Sequence, residues 1–145
     1  MDPHSIPALV NITAHFLVDA IEHSRSKYGT KKEMEYFTTL ILGRLGTDDF
    51  VQHEIRRFEN KYLGRNLTLA NMIAWAMLSS VNDETLMIDV DCTQFIRDVW
   101  ATILTKLSAD KLLHSAQLII DVKCYIELYI YVRYVNLKAG CVFFN

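Results

Sequence analysis

Five histidines, three cysteines and seventeen acidic residues are the groups in this sequence that could do chemistry. His4, His15, His23, His53 and His114 are spread along the chain. No two share the i, i+4 spacing that sets a helical zinc pair on one face. Cys92, Cys124 and Cys141 are an odd number with no close spacing, which is not a disulfide framework. Buried, reduced thiols of a cytosolic protein are the expectation. Asp89 and Asp91 stand two residues apart, and on a helix such a pair points in different directions, so they make a poor acid/base couple. Asp98 and Asp121 lie in apolar helical stretches with Arg97 and Lys123 close by in sequence. There is no Gly-rich phosphate loop, no Walker lysine and no nucleophile elbow. No catalytic constellation, metal site or cofactor site follows, and a non-enzyme is expected.

Composition narrows the class further. The chain has 145 residues, 51% hydrophobic and 22% charged, with a formal net charge of -2. A chain this apolar can offset its ordering entropy, which excludes intrinsic disorder. The near-neutral balance speaks against a nucleic-acid surface, which needs clustered excess cation. Five glycines and two prolines are too few for the turns of a β-sandwich. No signal peptide, lipid-attachment box or membrane-spanning run is evident, because Glu127 and Arg133 interrupt the most apolar stretch. A single domain over residues 1–145, cytoplasmic and without an integral membrane anchor, is expected.

Apolar periodicity predicts helices throughout. The first runs from about Pro7 to Lys27. Thr30 and Glu33 form a capping box for a second, which Gly46 ends or kinks. Thr47-Asp48-Asp49 starts a third, followed by the turn Gly64-Arg65-Asn66. An apolar helix spans Leu67 to Val81, and a long one from about Asp83 to Leu107 carries Trp100 at its middle. The last runs from Ala109 to about Asn136. A strand over Tyr125 to Val135 is the alternative there, but no other strand offers it a partner. The expected fold is all-α, a single bundle of about six to seven helices around a central apolar helix.

One segment carries a resemblance. Leu42-Gly43-Arg44-Leu45-Gly46-Thr47-Asp48-Asp49-Phe50 resembles the third homology motif of the Bcl-2 family of apoptosis regulators, with Thr47 where the family has aspartate. Ile55-Arg56-Arg57-Phe58 is similar to the basic-then-Phe stretch that follows it in pro-survival members. Val81-Asn82-Asp83-Glu84-Thr85 stands where the first motif should open the central helix, with Glu84 and Thr85 in place of its Gly and Arg. Asn136 and Gly140 are the matches to the second motif. The short connection after the first helix and the lack of a membrane tail resemble virus-encoded members.

The resemblance implies an inhibitor of apoptosis that binds the amphipathic homology-3 helix of pro-apoptotic proteins, a Bim-like helix first among them, in an apolar groove. The groove would be lined by Phe50, His53, Glu54, Arg57, Phe58, Met72, Ile73, Ala76 and Met77, with Asn82 and Leu86 at the start of the central helix. Core packing competes at every apolar position of that set. Met72 and Met77 are the exception, since flexible thioethers suit an adaptable surface, with Trp75 and Leu78 facing the core. Arg57 or Arg56 would meet the ligand's aspartate in place of the missing motif arginine. Self-association through an empty groove is a further expectation. The alternative is a viral immune modulator of the same fold that binds innate-signalling proteins without using that groove.

Overall fold

A computed structural model describes residues 5–64, 66–78 and 90–135. Among them are seven α-helices and no strand. The helices are α1 (Ile6–Lys27), α2 (Lys31–Arg44), α3 (Asp48–Tyr62), α4 (Leu69–Leu78), α5 (Cys92–Lys106), α6 (Ala109–His114) and α7 (Leu118–Ile130). A short π-helical turn, Tyr131–Val135, continues α7. The calls on Asn82, Glu84, Thr85, Leu86, Asn136 and Gly140 lie outside the described residues.

Local chemistry sets the helix starts. The Ser5 hydroxyl accepts from the Ala8 amide at 3.2 Å, and Pro7 sits in the first turn of α1. Thr30 accepts from the Glu33 amide at 3.2 Å, as the capping box predicts, while its hydroxyl donates to the Glu33 carboxylate at 2.9 Å. The amide of Leu69, in the first turn of α4, donates to the Glu59 carboxylate of α3 at 2.8 Å. That contact sets an acid at the positive end of a neighbouring helix.

Four expected boundaries move. The long helix does not cover Val90 and Asp91. It begins at Cys92, because the Asp91 carboxylate accepts from the Gln94 amide at 3.0 Å and caps it there. The last helix is broken at Ser115-Ala116-Gln117, where Ser115 is extended and its hydroxyl accepts from the Gln117 amide at 3.2 Å. A Lys111–Asp121 ion pair at 3.2 Å spans the break. The apolar helix starts at Leu69 rather than Leu67. Gly46 does not use a left-handed conformation to stop α2. Leu45 keeps helical dihedrals, and the Thr47 hydroxyl closes the end by donating to the Arg44 carbonyl at 2.7 Å. The residue that does turn left-handed is Asn66, at φ 66°, between α3 and α4.

Two helices share the centre. α1 packs along α7 and touches α2, α3, α4 and α6, while α5 packs on α2, α3 and α7. Phe16, Leu17 and Ile21 of α1 and Phe95, Ile96, Val99 and Ile103 of α5 are completely buried. The β-branched residues that lower helix propensity in α7 are tolerated because Val122, Ile126 and Ile130 face this core.

Thr13 is the exception within it. Its side chain is fully buried in α1, and its hydroxyl has no hydrogen-bond partner. A buried hydroxyl without a partner costs about 1–3 kcal/mol, so the near-isosteric Thr13→Val should stabilise the chain by about 1 kcal/mol. Chemical denaturation would register this as a higher midpoint at an unchanged slope. A lower midpoint would mean that the hydroxyl is satisfied.

Candidate functional site

Four of the residues expected to line a groove come together in a cleft, but with α1 and α2 rather than α4. Phe50, His53, Glu54 and Arg57 of α3 face His23 and Lys27 of α1 and Phe37 and Arg44 of α2 across about 430 Å³. Trp100 of α5 closes the bottom. The i, i+3, i+4, i+7 spacing of Phe50, His53, Glu54 and Arg57 puts them on one side of α3, and that side meets α1 and α5.

At the floor the polar groups are bound to each other. The Glu54 carboxylate is buried and accepts from the Trp100 indole N–H at 2.8 Å. It also accepts from Arg57 Nε at 2.8 Å and Arg57 Nη2 at 3.2 Å. Arg57 Nη2 donates further to the Phe16 carbonyl at 3.2 Å, and its guanidinium lies 3.9 Å above the Phe16 ring. The resemblance assigns Arg57 to a ligand's aspartate, whereas in the structure it binds groups of the chain itself. Its Nε and Nη2 donors are engaged within the protein, two of their bonds on one carboxylate, and its cation is stacked on an aromatic face. Arg56, the other candidate, is exposed on α3.

Beside this network, Tyr62 donates to the Asp19 carboxylate, and Lys61 approaches the same acid at 3.9 Å. Burial, reinforced by the hydrogen bond and charge of Asp19, pushes the Tyr62 phenol up to about 12. A raised phenol favours the folded state fully below its unfolded value of about 10, and that contribution is lost as pH rises through the folded value. The chain should therefore lose stability between about pH 10 and 12, and Tyr62→Phe should flatten that slope. An unchanged slope in Tyr62→Phe, measured by urea unfolding across this range, would assign it to another group.

The rim carries the cations Lys27, Arg44 and Lys61 and one acid, Asp19, which Lys61 approaches. Lys27 and Arg44 stand on opposite walls and have no ion-pair partner among the described residues, and His23 and His53 are exposed beside them. This cleft can bind an acidic, partly apolar group. Among the described residues no three His, Cys, Asp or Glu side chains gather to hold a metal ion.

Five further expected groove residues are described. Phe58, Met72, Ile73, Ala76 and Met77 are all buried in the core. The reason is visible in α4: Leu69, Met72, Ile73, Ala76 and Met77 recur at i, i+3, i+4, i+7, i+8 and form its one buried stripe. Trp75 and Leu78, expected to face the core, are half-buried on the other side. The two methionines fill the interior instead of forming an adaptable surface.

Two features escaped sequence reasoning. Arg97 of α5 donates to the Leu45 carbonyl at 2.8 Å and to Asp48 at 3.2 Å, fastening the turn between α2 and α3 that carries the resemblance motif. A second cleft, about 590 Å³, lies between α5 and α7 and is lined by Tyr125, Leu128, Tyr129 and Val132 with Lys106 and Arg133 at its edges. Tyr129 closes one side by donating to Asp98 at 3.0 Å. The contacts of Glu54 and Asp98 join residues 31 to 46 positions apart, a range that spacing rules do not reach.

None of the described helices is long and apolar enough to cross a membrane. Compared with known proteins, the chain matches no family model, no curated protein and no solved structure.

Proposed function

We propose that this chain is a helical interaction protein, a Bcl-2-like modulator of signalling that binds a protein partner on a surface other than the face between α3 and α4. The observation that carries this reading is the burial of Phe58, Met72, Ile73, Ala76 and Met77. A ligand helix seated between α3 and α4 would have to displace these side chains from the core, at about 1.5–3 kcal/mol of lost burial for each large one. Of the two kinds of partner implied by the sequence resemblance, innate-signalling proteins fit this burial better than homology-3 helices do.

The second reading is the inhibitor of apoptosis. It is favoured by the cleft between α1, α2 and α3, where Phe50 and His53 lie among the unpaired cations Lys27 and Arg44. A rim of this charge complements the aspartate of a homology-3 helix, although the partner would then sit on different helices from those first expected.

Calorimetry with a Bim-type peptide, alongside an innate-signalling reporter in cells expressing the chain, separates the two. The first reading expects no saturable binding tighter than about 10 μM, that is about -7 kcal/mol, together with a suppressed reporter. Micromolar or tighter binding that Arg44→Glu weakens at least tenfold makes the second reading the better one. No binding and an unchanged reporter would overturn both.

A further inference from the structure

The outward face of α7 has the wrong chemistry for a helix that ends at solvent. Its inward residues are Leu118, Val122, Ile126 and Ile130, all buried. Half a turn away run Ile120, Cys124 and Leu128, spaced four apart, continued by Tyr131 and Val132. Ile120 is 58% exposed, Leu128 59%, Tyr131 45% and Val132 56%. Cys124 between them is exposed and has a free thiol. A contiguous apolar stripe of this kind marks a contact surface, because water is displaced from it at a gain when another apolar face covers it.

We propose that this stripe is the interface of a homodimer, in which α7 of one copy packs antiparallel against α7 of a second. The pattern is self-complementary. A two-fold axis at Cys124 brings Ile120 opposite Leu128 of the second copy, and Leu128 opposite its Ile120, because each lies four residues from the centre. Each Cys124 then faces its counterpart.

Charge points to the same occupant. Lys123 and Glu127 lie together on the flank of α7 that faces the start of α1. Neither has an ion-pair partner among the described residues. An axis perpendicular to the helices keeps this flank on the same side in both copies and reverses its direction. At 1.5 Å of rise per residue, Lys123 of one copy then lies about 3 Å along the helix from Glu127 of the other, so two ion pairs form across the interface. Two copies therefore satisfy both the apolar stripe and the two unpaired charges beside it. This assembly does not depend on which signalling partner the chain binds.

Light scattering after size exclusion tests it. At about 100 μM the parent chain should show twice its 16.8 kDa mass. Leu128→Glu should weaken the dimer at least a hundredfold, to a monomer at that concentration, with an unchanged helical circular dichroism spectrum because the side chain is exposed. Lys123→Glu and Glu127→Lys should each weaken the dimer about tenfold, and the double exchange should restore it. A short bismaleimide should link the parent chains into a covalent dimer, and Cys124→Ser should abolish that product. A parent chain that is monomeric at this concentration overturns the proposal. So does a dimer that survives Leu128→Glu and the single charge changes, since it would use another face.

Discussion

Trp100→Ala is expected to destabilise the fold by about 3–5 kcal/mol, enough to unfold much of a marginally stable domain. Two losses add. The indole is 1% exposed at the meeting of α1, α3 and α5, with its ring 6.4 Å edge-on from Phe16, so its removal opens a large cavity in a packed interior. It also strips the Glu54 carboxylate of its indole donor, in a place water does not readily reach. Trp100→Phe separates the two. It keeps most of the ring and loses the N–H, and should cost about 1–3 kcal/mol. Urea unfolding followed by circular dichroism is the measurement, since the substitution removes one of the two tryptophans. A loss below about 1 kcal/mol for Trp100→Ala would mean that α5 does not lie at the centre of the bundle.

The sequence pattern anticipates this helix because a tryptophan flanked by Ile96, Val99, Ile103 and Leu104 at helical spacing has one plausible home. The same logic gives the all-helical class and the cap at Thr30, where a short polar side chain sits just ahead of an apolar stripe, but not the cap at Asp91, which an uninterrupted helical pattern hides. It fails where tertiary contacts decide. The break at Ser115 is not signalled by glycine or proline, and apolar residues continue on both sides of it. α4 shows a different failure. Its stripe of Leu69, Met72, Ile73, Ala76 and Met77 is the simplest helical pattern in the chain, and the resemblance to a groove-forming family assigns the last four of them to a groove. The periodicity alone would have sent them to the core. The α1–α2–α3 cleft could not have been read in advance, because its walls come from three segments whose approach is set by packing, not by any local signal.

Arg57 is where the two accounts of the site diverge most, and Arg57→Ala decides between them. Were it a surface arginine kept for a ligand, truncation would change stability by less than about 0.5 kcal/mol. In the structure it holds Glu54 through Nε at 2.8 Å and Nη2 at 3.2 Å, with the Glu54 side chain 5% exposed and the Arg57 side chain 20%. Removing it leaves a buried carboxylate with Trp100 as its remaining donor, a loss expected to cost about 3–5 kcal/mol. Glu54→Gln in the Arg57→Ala background removes the stranded charge and keeps an acceptor for the indole. The double variant should therefore be more stable than Arg57→Ala alone, with a coupling of about 1–3 kcal/mol in the cycle. Equal stability of the single and double variants would mean that the two side chains do not meet. In that case Arg57 would again be free to reach an acidic partner over the cleft beside Phe50 and His53.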